Sequence, residues 1–230
     1  MLNLIAAAAF FVLIHLLISG TRLRDVLVLR LGPGPYMGLF SLTSLAGIVW
    51  LGWAFSQARV APGNETLWGM SSAAHGLQFV LQLIAVQFVV LGLTSANPTS
   101  VRQEAALDRP EVVRGVLRIT RHPFLWGVAV WALGHLLVNG DAASLVLFGS
   151  LLALAIFGTA SIDAKRKRAL GAKWDQFAAQ TSNVPFLAMA QGRQRLALGE
   201  LGWWRPLLAL AVWAALIWAH PYLFGVSVLY

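Results

Sequence analysis

Six stretches of nearly unbroken apolar residues dominate this chain: Leu2–Ser19, Met37–Ser56, Ser72–Leu93, Pro123–Val138, Ala143–Ile162 and Pro206–Val228. A helix needs about 20 residues to cross roughly 30 Å of hydrocarbon, so the pattern predicts six membrane spans. The fourth is short and joins the fifth through Asn139-Gly140-Asp141, which predicts a tight helical hairpin. Between the third and fourth spans, Ser95–Arg121 predicts a polar loop with a short helix at Pro110–Ile119, since proline suits a first helical turn. Asp163–Gln180 predicts an interfacial helix continuing from the fifth span. Gly192–Trp204 is amphipathic and ends in Trp203-Trp204, a pair suited to the headgroup level. The fold class that follows is all-α, a polytopic integral membrane bundle of about six helices, with residues 1–230 as a single domain. The small residues Gly47, Gly52, Gly92, Gly127 and Gly134 fall where close helix packing would use them.

Composition sharpens this picture. Of 230 residues, 58% are hydrophobic and 11% charged, against roughly 25% charged in a soluble domain. The absence of cysteine excludes a disulfide, a thiolate-held metal and a Cys nucleophile. A net charge of +8 would suggest nucleic acid in a soluble protein. Here 16 of the 17 basic residues follow spans one, three or five, and only Arg59 lies elsewhere. That asymmetry makes the partner the lipid bilayer and no nucleic acid, and it predicts that both termini lie outside. The basic stretches read first as contacts with anionic lipid. The first span has no basic residues ahead of it, so it reads as a retained helix and not as a cleaved signal peptide.

Five histidines carry the candidate chemistry: His15, His75, His122, His135 and His220. An ionisable residue inside a span is costly unless paired or ligated. At ~1.5 Å per residue, His15 lies about 10 Å from the inner face, His135 about 18 Å and His220 about 21 Å. His75 opens the third span and shares a helix face with Gln78 and Gln82. Imidazole is the commonest metal ligand, and two from different helices can hold a haem iron. No carboxylate lies within a span, which favours haem over a carboxylate-assisted metal. The metal candidates are therefore His15, His135, His75 and His220, with His135 and His220 the pair closest in depth. Arg118-Ile119-Thr120-Arg121-His122-Pro123 opens the fourth span. There Arg121 and His122 meet a positive helix end suited to an anion such as a carboxylate, a phosphate or a haem propionate.

The chain resembles the NnrU family and, through it, the plant 15-cis-zeta-carotene isomerases. The resemblance is carried by Asp108-Arg109-Pro110, the Arg118–Pro123 motif, Trp131 to His135, Thr181-Ser182-Asn183-Val184-Pro185-Phe186, Gly192-Arg193-Gln194, Ala219-His220-Pro221 and the pattern His15…Arg24. It implies a multi-pass protein of the bacterial inner membrane. On the NnrU side it implies an accessory role in nitric oxide and nitrite metabolism during denitrification, with a respiratory or nitrogen-oxide reductase partner. On the isomerase side it implies b-type haem on His15 and His135 and a hydrophobic polyene or isoprenoid substrate. His75 and His220 are then reserve ligands, and Arg121 and His122 flank the cofactor. The isomerases carry a cysteine three residues before the second ligand; Ala132 stands there in this chain.

A second resemblance points to another reaction class. Arg121-His122-Pro123 through Gly127, then Leu170-Gly171, Trp174, Phe177 and Pro185, is similar to the C-terminal half of isoprenylcysteine carboxyl methyltransferases. That half binds S-adenosylmethionine in those enzymes and carries glutamates where this chain has Lys165-Arg166-Lys167-Arg168. A run of four cations suits a sulfonium ligand poorly. A third reading is a non-enzymatic assembly factor.

Overall fold

The computed structural model describes residues 1–228, and among them every regular element is helical. Five helices are long and apolar enough to cross a membrane. The first, α1 (Leu2–Leu13), continues without a break as a π-helix over Ile14–Ser19. The others are α3 (Pro33–Ala58), α4 (Ser72–Thr94), α6 (Ala142–Leu170) and α9 (Trp204–Phe224). The expected fourth span is α5 (Pro123–Val138), with the predicted bounds, but its 16 residues are short for a full crossing. Three helices lie between these: α2 (Arg22–Leu31), α7 (Ala172–Gln180) and α8 (Leu187–Ala190).

Two expectations for the connecting segments fail for local reasons. Pro110–Ile119 is not a helix. Arg109 is extended, as a residue before proline prefers, and only short 3₁₀ turns form at Glu104–Asp108 and Gly115–Arg118. The helix expected over Asp163–Gln180 breaks at Gly171, whose φ of +52° few side chains tolerate. The amphipathic Gly192–Trp204 segment forms a 3₁₀ turn at Leu198–Leu201. Conversely, the Arg22–Leu31 segment, read only for its charge, is a helix. Thr21 caps it by accepting the Leu23 N–H at 3.2 Å.

The chain divides into two units. The first comprises 1–78 and 132–169. Its core joins Leu4, Ala7, Ala8, Phe11 and Ile14 to Leu51, Ala54, Ala58 and Ala143. Small residues on α1 and α3 let the helices approach, and Gly47 lies against Phe10 and Phe11. In lipid this contact rests on dispersion and shape, because leaving the bilayer gains an apolar side chain nothing. A polar clasp closes one end. Asp141 accepts the Ser144 N–H at 2.9 Å, the Ser144 hydroxyl at 2.7 Å and Asn64 Nδ2 at 3.0 Å. Burial pushes this carboxyl up, but the bonds from Ser144 and Asn64 hold it below its ordinary pKa. Leu67 N–H and Trp68 N–H both donate to the Gly140 carbonyl, fixing the predicted hairpin turn.

The second unit comprises 79–131 and 170–230, of which residues to 228 are described. Here α4 and α5 cross with almost no side chain between them. A Cβ on Gly92 would meet the Phe124 nitrogen at 2.8 Å, and one on Gly127 would meet Val89 Cγ2 at 2.7 Å. Around this crossing the loops form a lattice. Arg118 donates to both Glu200 oxygens and to Gln194 Oε1, each at 2.7 Å, and Gly115 N–H donates to Glu200 at 2.7 Å. Hydrogen bonds from Arg118 and Gly115 hold the Glu200 pKa down at about 2, and Glu200 in turn raises that of Arg118.

Candidate functional site

The π-helical turn governs how His15 is presented. A π-helix shifts the register of a helical segment and recurs at functional sites. Inside it, His15 Nδ1 lies 2.8 Å from the Phe11 carbonyl. A carbonyl can only accept, so Nδ1 carries the proton, and in neutral imidazole the lone pair is on Nε2. Nε2 meets the Ser44 hydroxyl at 3.3 Å. Phe11 packs on the ring at 4.5 Å and Phe40 meets it edge-on at 5.3 Å. Two aromatic walls and one backbone anchor thus fix the imidazole plane. Phe11, Phe40 and Ser44 escaped the sequence reading. Their signals were Phe11 four residues before His15 and the polar Ser41, Thr43 and Ser44 interrupting an apolar run.

His135, in the same unit, stacks on Phe148 with ring centres 4.7 Å apart and planes at 22°. Phe148 also packs on Phe55 at 6.1 Å. Phe55 follows Ser44, the partner of His15, by 55 − 44 = 11 residues on α3, or roughly 16 Å of helix rise. The contacts of His15 and His135 thus reach α3 at positions 11 residues apart, those of His135 by way of Phe148. At His15, Nδ1–H on a carbonyl orients Nε2 in the way seen in metal-bound histidines.

The remaining candidates lie apart in the chain. His75 is half-buried at the start of α4, where its N–H donates to the Ser71 carbonyl. His220 Nδ1 bonds the Val226 carbonyl at 2.7 Å and its ring packs on Phe224, which ties down the end of α9. Among the described residues, no group of three or more His, Cys, Asp or Glu is placed to hold a metal ion.

The head of α5 is a built structure of its own. His122 is 2% exposed and its N–H donates to the Thr120 hydroxyl at 3.2 Å. The Thr120 hydroxyl and Trp126 Nε1 both donate to the Asn183 carbonyl, at 2.5 and 2.8 Å. Arg121 N–H donates to the Ser182 carbonyl, and its own carbonyl accepts from Asn97 and Thr99. The Arg121 guanidinium lies 5.9 Å over the Trp174 ring. Arg193 reaches the Ala179 and Thr181 carbonyls at 2.6 and 2.8 Å. Three of the motifs quoted above thus meet here: Arg118–Pro123, Thr181–Phe186 and Gly192–Gln194.

Apolar helices long enough to span a bilayer, with a histidine anchored on a π-helical turn, define a multi-pass membrane protein with a candidate ligand inside a span. The chain belongs to the NnrU family, whose model, described as NnrU protein, matches residues 3–228. It is 33% identical over 129 residues to the chloroplastic 15-cis-zeta-carotene isomerase of Arabidopsis thaliana, a stretch covering 54% of this chain and 35% of that protein. Against the isomerase of Zea mays it is 33% identical over 95 residues, 40% of this chain and 26% of that one. The chain thus spans well under two thirds of the length of these curated relatives. No solved structure matches it significantly.

Proposed function

We propose that this protein is a membrane isomerase of long conjugated polyenes, carrying a b-type haem on His15. The observation that carries the reading is the state of His15, with Nδ1 anchored on the Phe11 carbonyl and Nε2 presented beside Ser44. The likeness to two carotene isomerases supports the substrate class. In this reading Phe11 and Phe40 hold the ring plane, and Ser44 keeps Nε2 hydrogen-bonded until a metal takes its place. His135 would be the second ligand. Arg121, with its guanidinium over Trp174, is the candidate partner for an anionic group, and His122 supports it from the buried head of α5. Haem supplies an iron that acts as Lewis acid or one-electron partner toward a double bond and lowers its rotation barrier. In this reading the protein sits in a bacterial inner membrane, and the 16-to-1 distribution of basic residues supports both termini lying outside, with α5 as a sixth crossing.

The test is an optical spectrum of the detergent-purified full chain after growth with excess haem. The wild type should show a Soret band with sharp alpha and beta bands. His15→Ala should lose haem, Ser44→Ala should keep it, and His135→Ala should become high-spin. A wild-type protein without a Soret band removes the haem. An unchanged cis/trans ratio of carotenoids in cells expressing the wild type, compared with His15→Ala, removes the isomerase.

A further inference from the structure

We propose that the first unit holds the phosphate of an anionic phospholipid in a cleft between α2 and the last turns of α6. The cleft has a volume of about 410 Å³, and its walls include Arg22, Arg24, Lys165 and Arg168 beside the apolar Val26 and Leu29. Asp25 is the one acidic wall residue, so the lining carries 4 − 1 = +3. Asp25 already faces Arg24 at 3.3 Å.

Three features point to a lipid. Cations and apolar side chains share one cleft, which matches an anionic head on a hydrocarbon tail. The apolar residues of α2 stand uncovered: Leu29 is 85% exposed, Leu23 46% and Val26 43%. A helix with uncovered leucines beside arginines suits the bilayer interface, and α2 directly joins the spans α1 and α3. Finally, Arg22 and Arg24 occupy the first turn of α2, the end at which a helix disfavours positive charge. Helix stability does not favour them there, and a phosphate in the cleft would offset that cost. A free phosphate would engage the cations and leave Val26 and Leu29 unused. The site is independent of any haem.

The test titrates delipidated full-length protein in non-ionic detergent with phosphatidylglycerol and with phosphatidylcholine of the same acyl chains. Bound lipid is counted by native mass spectrometry. Phosphatidylglycerol should bind about tenfold more tightly, and Arg22→Gln with Arg168→Gln should abolish that preference. Arg22→Lys with Arg168→Lys should keep it, because the charge is retained. Arg102→Gln with Arg109→Gln, which removes the same charge from the second unit, should also keep it. If the glutamine pair does not elute as a single species, Arg168→Gln alone carries the same expectation at a smaller factor. The proposal falls if the wild type has no headgroup preference, if the preference survives the glutamine variants, or if Arg102→Gln with Arg109→Gln removes it equally. Displacement of phosphatidylglycerol by millimolar inorganic phosphate would assign the cleft to the free ion and overturn the lipid.

Discussion

The two units hold themselves together by different means. In the first, α1 and α3 meet through Leu4, Ala7, Phe11, Leu51 and Ala54, and the main polar device is the clasp of Asn64, Asp141 and Ser144. In the second, irregular segments are tied by side chains aimed at backbone groups: Thr120 and Trp126 to Asn183, Arg193 to Thr181, Asn97 and Thr99 to Arg121. A packed helix pair accepts many apolar residues of similar volume. A loop whose carbonyls need named donors accepts very few. Short recognisable motifs therefore concentrate in the second unit, where they are scaffold, while the candidate ligands His15 and His135 lie in the permissive first one.

The largest effect should come from cutting the lattice. Arg118→Ala leaves Glu200 without its bidentate partner, and both side chains are about a quarter exposed, at 27% and 28%. The expected loss is about 2–3 kcal/mol, below that of a fully buried pair, read as a fall in melting temperature in detergent. The same contact carries a pH dependence. The folded pKa of Glu200, about 2, lies below its unfolded value. Its stabilisation is therefore complete above about pH 4.5 and fades as pH falls toward 2. Glu200→Gln should flatten that decline, and an unchanged acid limb would refute the assignment.

Next comes the helix crossing. Gly127→Val should cost about 1–3 kcal/mol, because its side chain has no room against Val89 and the Ala85 carbonyl. Gly52, on α3 in the first unit, lies away from any crossing and has open space around it. Gly52→Ala should be neutral or gain up to about 1 kcal/mol from helix propensity. Equal melting shifts for the two substitutions would erase the distinction between the crossing and an open helix face.

The smallest effect should come from the surface of the second unit. Lys173 and Asp108 pair at 2.7 Å but are 67% and 62% exposed. Lys173→Ala should cost less than about 0.5 kcal/mol and nothing measurable in high salt. A larger loss would mean that the lattice extends to this pair.

The spans were legible because a bilayer asks only for length and apolarity: α5 matches its predicted bounds, and α4 differs by one residue at its end. The connecting segments were not. Gly115, with φ of +58°, and the Gly115–Glu200 bond decide the course of 110–121, and they depend on a partner 85 residues away. The helix at 22–31 was hidden because its arginines were weighed as topological charge while Leu23, Val26 and Leu29 went unread as a face. At the candidate site the histidines were legible and the rings packed on them were not: Phe40 on His15 and Phe148 on His135 come from other helices, which periodicity alone does not bring together. Nothing in the run Ile14–Ser19 announces a π-helix, since its register is settled by what lies against it.

That π-helical turn amounts to one residue in surplus within an otherwise regular rod. Deleting a single residue from 14–19 would let the ordinary i to i−4 ladder close. Everything before the deletion would keep nearly its present facing relative to everything after it, because the wide turn absorbs its extra residue with almost no net rotation. Leu4, Ala7 and Phe11, now turned inward, would stay against α3, and only the turn that presents His15 would tighten. The first span thus behaves as a screw with one spare thread, taken up locally at the ligand and not passed on to its flanks.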